Sequence, residues 1–312
     1  MVQECNGRRT KLERITIGGG TLQRMDLPGF GERILRFFVV VIVGYALALV
    51  LLRLFEKHFI FFPNYPDRLA GNWSPRGLQN QDAWFQSSDG TKLHAWWIPS
   101  AGATFTFLAF HGNAGNISDR AEIYKFLTQI PVNILAVEYR GYGKSEGIPS
   151  ESALYLDAEA ALDYLVVSKG ISSGKIVAYG QSLGTAVAAH LASRREVGGL
   201  IMEAPFPSAG AVARQRLWFF PGLPVLLWGQ LDTEKALQSA RAPLLVVHCV
   251  DDPVIPFQLG KAVYDKAHQP KLFLSIQGQC HEEASIISPQ NYQRQIQIFL
   301  STLDHRGEPI RK

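Results

Sequence analysis

Cysteine is scarce in this chain, with three residues in 312, and they are scattered rather than clustered. There is no C-x-x-C pair and no H-E-x-x-H helix motif, so neither a structural zinc site nor a zinc-dependent hydrolase has a ligand set, and no metal or cofactor is expected. Internal repeats and low-complexity tracts are also missing. The net charge of +4 is spread along the sequence and not gathered into a basic stripe, which leaves no electrostatic footprint for nucleic acid. What remains is a chain that is 47% hydrophobic, long enough for one large α/β domain with an appendage.

The longest apolar run is near the N-terminus. Residues 37–52 carry no charge, and with their neighbours they form a stretch at 34–55 of about 22 residues, roughly 33 Å as a helix, enough to span a bilayer. Arg36 and Arg53 lie near its ends, where their stems can carry charge to the headgroups. No small-x-small cleavage site follows, which favours a retained anchor over a signal peptide. Seven basic residues precede the run (Arg8, Arg9, Lys11, Arg14, Arg24, Arg33, Arg36). That bias predicts a cytoplasmic tail over 1–33 and a non-cytoplasmic remainder, although the charges closest to the span are balanced. The aromatic residues of 58–63 are expected at the membrane interface, and 56–80, with Pro66, Gly71, Pro75 and Gly77, reads as a juxtamembrane connector.

From residue 81 the pattern changes. Strand-like segments at 83–87, 92–98, 105–110 and 134–139 precede an alternation of helical spacing (118–129, 150–167, 183–193, 257–267, 291–303) with short apolar runs (175–179, 200–203, 244–248, 271–276). An antiparallel start followed by repeated β-α units predicts a mostly parallel, eight-stranded sheet with helices on both faces over 81–304, and a short polar tail at 305–312. Function in such sheets gathers at the carboxyl ends of the strands.

At that edge Gly180, Ser182 and Gly184 form a G-x-S-x-G pattern between an apolar strand and a small-residue helix. Such a strand-turn-helix elbow exposes the serine hydroxyl as a nucleophile and aims a helix N-terminus at the developing oxyanion. The chain order that accompanies this elbow is serine, then acid, then histidine. His268 lies at the entry to a strand and His305 in the tail, which leaves His281 as general base. The loop after 244–248 offers Asp251 and Asp252. Asp252 is preferred because Pro253 and Pro256 stiffen its loop, with Asp251 expected to cap the turn and Glu203 as an alternative acid or a structural carboxylate beneath a cap. The N–H groups of Leu183 and Asn113 are the expected oxyanion donors, with His111 bracing the loop. Residues 139–145 fail the P-loop spacing and read as a structural turn.

Together the HGNAGN loop (111–116), the YRGYGKSEG turn (139–147), the GQSLG elbow, the DDPVIP loop (251–256) and the CHEEA loop (280–284) resemble the α/β-hydrolase superfamily. More narrowly they resemble its small membrane-anchored serine hydrolases, the group that includes eukaryotic protein depalmitoylases and lysophospholipid lipases and stands beside prolyl-oligopeptidase-like peptidases. The resemblance implies Ser182, Asp252 and His281 as a catalytic triad. It also implies an acyl ester or thioester substrate, of the kind carried by a lipid or a lipidated protein. The apolar stretch at 205–230 stands where such proteins carry a cap, suited to an acyl chain, to the bilayer or to plain core packing. Cys249 and Cys280 depart from the pattern, which usually has glycine at both places. Their strands are neighbours in this fold, so a disulfide between the two loops would explain both changes; the alternative is two unpaired small residues in a buried rim. A peptidase and a non-catalytic tethered binding protein are the competing functions.

Overall fold

The structure is a computed structural model that describes residues 30–55, 60–65, 67–220, 222, 227 and 230–304. The basic tail, His58 and Phe59, most of the apolar segment 221–229, and the tail with His305 lie outside the described residues. The chain divides into two units, residues 1–51 and 52–312. Helix α1 (Phe30–Leu54), most of which belongs to the first, begins before the expected span. Within its segment Gly31–Leu54 an 18-residue window has a mean hydropathy of 2.7, and the segment is long and apolar enough to cross a membrane.

The second unit is built on one sheet. Its strands are β1 (Gln81–Gln86), β2 (Lys92–Ile98), β3 (Phe105–Phe110), β4 (Val132–Val137), β5 (Ile176–Gln181), β6 (Gly199–Glu203), β7 (Leu244–Cys249) and β8 (Lys271–Ile276). Their order across the sheet is β1-β2-β4-β3-β5-β6-β7-β8. Only the pairings of β1 with β2 and of β2 with β4 are antiparallel; the rest are parallel. Strands β3, β5, β6 and β7 are buried along their whole length, as strands covered on both faces must be.

The covering helices divide between the two faces. Helices α3 (Glu151–Asp163) and α4 (Leu183–Arg194), then α6 (Thr233–Ser239) and α7 (Phe257–Lys266), supply Leu154, Val187, Leu237 and Val263 to one core. Helices α2 (Ala121–Leu127) and α9 (Pro289–Asp304) supply Leu127, Tyr292, Ile296 and Phe299 to the other. Helix α5 (Ala209–Arg216) starts at Ser208, whose hydroxyl accepts the Ala211 N–H, and α6 starts at Asp232, which accepts from Lys235 N. A last short helix, α8 (Ala284–Ile287), precedes α9. Helices α5, α6 and α8 were not expected from sequence periodicity, since each is too short to show one.

The stretch read as a connector is laid against the domain. Phe61 is buried in the core and the Phe62 N–H donates to the carbonyl of Asn113 at 3.0 Å. Arg68 donates to the carbonyls of Gly143 and Ser145, and the Trp73 ring packs against those of His94 and Trp96. These side chains bury apolar surface that would stay wet in a free linker. The strand-end turn 139–147 is also tied down. Arg140 donates to both oxygens of the fully buried Asp157 on α3 and also to Asp89 and Ser87, which joins the turn to the β1–β2 hairpin.

Candidate active site

Ser182 stands between the end of β5 and the start of α4 with φ 48° and ψ −114°, a left-handed conformation that side chains rarely adopt. Close packing enforces it. A Cβ on Gly180 would collide with the carbonyl of Gly184, and one on Gly184 with the carbonyl of Phe110 at the end of β3, so the elbow tolerates only hydrogen at both places. The turn thereby lifts the hydroxyl above the sheet, where Ser182 keeps 7% of its surface exposed.

Three residues far apart in the chain converge there. His281 Nε2 lies 2.9 Å from Ser182 Oγ, and His281 Nδ1 lies 2.8 Å from Asp252 Oδ2. Because the carboxylate can only accept, Nδ1 carries the proton and Nε2 is left to accept from the hydroxyl. The other oxygen of Asp252 accepts the N–H groups of Val254 and Ile255 at 2.7 and 2.8 Å. Asp252 therefore caps its own turn. That task was expected of Asp251, which is exposed instead. A second histidine stands against the acid: His248 Nε2 is 3.4 Å from Asp252 Oδ2 and donates to the carbonyl of Ile255 at 3.0 Å. From the end of α5, Arg216 donates to the carbonyls of Asp252 and Val254.

Electrostatics follow from this arrangement. Burial pushes the Asp252 carboxyl up, but hydrogen bonds from His248 and His281, with the charge on His281, outweigh it and hold the group well below the usual carboxylate range. Burial pulls the His281 imidazole down, and the bond to Asp252 with the charges on Asp252, Glu282 and Glu203 more than restores it, leaving a raised pKa.

The loop expected to supply a second oxyanion donor is held by several bonds: besides the Phe62 N–H on the carbonyl of Asn113, the Asn113 side chain donates to the carbonyl of Ile60 at 3.2 Å. The Tyr139 hydroxyl donates to the carbonyl of His111 and the Tyr142 hydroxyl to that of Asn113, each at 2.9 Å. His111 Nδ1 donates to the carbonyl of Gly112 at 2.7 Å. That carbonyl belongs to the same planar trans peptide as the Asn113 N–H, so fixing one fixes the other in the opposite direction. The N–H of Leu183, as the first residue of α4, has no intrahelical partner. Tyr139 and Tyr142 belong to the 139–145 turn, and sequence spacing carries no signal of their bonds to residues 111 and 113.

Cys249 ends β7 and Cys280 lies in the loop after β8, which pairs with it in parallel. Their Cα atoms are 5.6 Å apart and their sulfurs lie against each other. Among the described residues no group of three or more His, Cys, Asp or Glu side chains is arranged to hold a metal ion.

Known proteins are similar to this chain in sequence and fold. An uncharacterized protein of Mycobacterium tuberculosis (strain H37Rv) is 31% identical over 251 residues, covering 79% of this chain and 87% of the relative. WAV2, an alpha/beta hydrolase domain-containing protein of Arabidopsis thaliana, is 34% identical over 250 residues, covering 73% of this chain and 79% of the relative. The chain belongs to the α/β-hydrolase superfamily. The family model described as serine aminopeptidase, S33, matches residues 103–227 of this α/β-hydrolase. Among solved structures, an alpha-beta hydrolase from Vibrio vulnificus is similar at 26% identity and a TM-score of 0.60, covering 70% of this chain and 80% of that one. The Pyrococcus furiosus esterase Pf2001 shares the fold at 21% identity and a TM-score of 0.63, covering 78% of this chain and 98% of that one.

Proposed function

We propose that this α/β-hydrolase is a membrane-anchored serine hydrolase that cleaves carboxylic esters or thioesters of acyl or lipid-like substrates. The observation that carries the reading is the unbroken line from Ser182 Oγ through both nitrogens of His281 to Asp252, with steps of 2.9 and 2.8 Å. In this mechanism the Ser182 hydroxyl attacks the substrate carbonyl as His281 Nε2 takes its proton, and Asp252 steadies the imidazolium through Nδ1–H. The N–H groups of Leu183 and Asn113 receive the oxyanion. Collapse expels the alcohol or thiol, with His281 returning the proton, and leaves an acyl-serine. Water then attacks the acyl carbon, again giving its proton to His281, and releases the carboxylic acid and free Ser182.

Two features support an apolar acyl group. Leu217, Trp218 and Phe219, directly after α5, expose their side chains, and Arg216 beside them is bonded to the acid loop. Helix α1 would keep the enzyme at a bilayer where such substrates concentrate. The narrower kinship with depalmitoylases and lysophospholipid lipases belongs to this reading. A peptidase is the second reading, favoured by the description of the matching family model.

The test uses the full chain in detergent micelles with p-nitrophenyl esters, acyl thioesters and peptides, alongside a fluorophosphonate probe. Ser182→Ala should abolish turnover and labelling while the melting temperature holds; loss of a triad member costs several orders of magnitude, roughly 10⁴-fold or more. Labelling that persists at another serine sinks the assignment, and turnover of peptides alone moves the reading to a peptidase.

A further inference from the structure

We propose that Glu203 is a positioning residue for this site: its backbone carbonyl holds the N–H of Ser182 while its carboxylate holds the loop carrying His281, so one residue sets the nucleophile against the base. The proposal rests on the reading of Ser182 and His281 given above. Glu203 ends β6, the neighbour of β5 in the sheet, and its side chain is completely buried. The Ser182 N–H donates to its carbonyl at 2.9 Å. On the side chain, Oε1 accepts the N–H of Ala284 at 3.0 Å. Oε2 accepts from Gln181 Nε2 at 3.0 Å, the Tyr179 hydroxyl at 2.9 Å and the Tyr292 hydroxyl at 3.1 Å. Gln181 Nε2 also donates to the carbonyl of Glu282 at 3.3 Å. The segment immediately after His281 is thus gripped at two points, the carbonyl of residue 282 and the N–H of residue 284.

A carboxylate without exposure is costly unless its oxygens are fully bonded, and an apolar side chain would fill the same space without that cost. The bonds here are spent on the nucleophile's strand and the base's loop. Glu203 also acts at a distance. Burial lifts it to about 7, against the pull of its bonds from Gln181, Tyr179 and Ala284. Its ionised form in turn helps to raise His281. The groups facing this pair are Tyr179 and Gln181 from β5, Tyr292 from α9, Ser182 at the elbow, Asp252 from the acid loop with His248 against it, and Glu283, whose carboxylate accepts the backbone N–H groups of His281 and Glu282 at 3.0 and 3.1 Å. Glu282, next to His281, is paired with Arg120 at 3.3 Å. Of these, Glu203 is the ionisable group bonded to both the elbow and the histidine loop.

Glu203→Gln keeps a carbonyl acceptor and removes the charge; Glu203→Ala removes both. The full chain in micelles is assayed with p-nitrophenyl butyrate across pH, and the Nδ1–H resonance of His281, shifted downfield by its bond to Asp252, is followed by proton NMR. For Glu203→Gln we expect kcat about tenfold lower with KM unchanged, and a His281 titration moved to lower pH by on the order of half a unit. Glu203→Ala leaves several buried donors bare and can unfold the chain, so the decision rests on the glutamine variant. A variant that titrates as the wild type does, with unchanged kcat, overturns the proposal. If the wild type hydrolyses none of the esters, the functional reading fails while the His281 resonance still decides whether Glu203 acts on it.

Discussion

Cys249 and Cys280 stand with Cα atoms 5.6 Å apart, one ending β7 beside the acid loop and the other immediately before His281. That separation is within the range a disulfide bridges. A bond here would close a loop across a sequence separation of 31 and tie Asp252 to His281 through the backbone. In the chain-entropy model it contributes roughly 3 to 4 kcal/mol. It also requires an oxidising compartment, which a non-cytoplasmic domain would have. Reduction should therefore lower the melting temperature and activity while Ser182 stays accessible. Mass spectrometry of protein alkylated without reduction checks the bond: full alkylation of both thiols ends the proposal. Protease reaching the domain in intact cells with a permeabilised outer layer checks the compartment.

The raised pKa of His281 sets the pH dependence. As a base it must be neutral, so kcat/KM should climb with pH through a value above the ordinary histidine pKa of about 6.5. Stability runs the other way. The folded-state pKa of His281 exceeds its unfolded value, so its contribution is complete below about 6.5 and lost as pH rises through the folded pKa. Asp252 is held low, so its contribution is present above its unfolded value and lost as pH falls through the folded one. Asp252→Asn should drop kcat by about 10⁴-fold and shift the acidic limb downward, because the partner that raises His281 is gone. A wild-type limb at or below 6.5 contradicts this account.

Tyr142 offers a test of the loop at 111–113 that leaves the triad alone. Its hydroxyl donates to the carbonyl of Asn113, and Tyr142→Phe removes that bond without changing the buried ring. Stability should fall by about 1 kcal/mol. If the loop presents an oxyanion donor, kcat should fall several-fold to about tenfold with KM unchanged, less than the roughly 10²-fold cost of losing a donor outright. Unchanged kcat would detach the loop from catalysis and leave it a structural role.

What the sequence determined by itself was local. The alternation of apolar runs with helical spacing laid out all eight strands within a few residues, and strand β2, strand β3 and strand β8 to the residue; the central strands β3, β5, β6 and β7, buried along their whole length, leave an uninterrupted apolar signal, while the edge strands β1 and β8 are partly exposed. The elbow was legible from its spacing: Gly180, Ser182 and Gly184 are two residues apart, and the task of Gly180, to clear the carbonyl of Gly184, is local, whereas Gly184 must clear the carbonyl of Phe110 on β3, a contact that only the tertiary structure makes. Short helices such as α5 and α6 escaped, since fewer than three turns show no period and their start depends on one capping side chain each. The distances from His281 to Ser182 and Asp252 were decided by strand order, which brings together residues 99 and 29 positions apart. Strand order likewise decided that the hydroxyls of Tyr139 and Tyr142 meet the 111–113 loop and that Arg68 reaches residues 75 and 77 positions away. Only the tertiary structure assigned Glu203 its partners. A buried carboxylate takes whatever donors the adjacent strand and the packed helix present, and those donors are set by which elements become neighbours, not by the residues beside it in the chain.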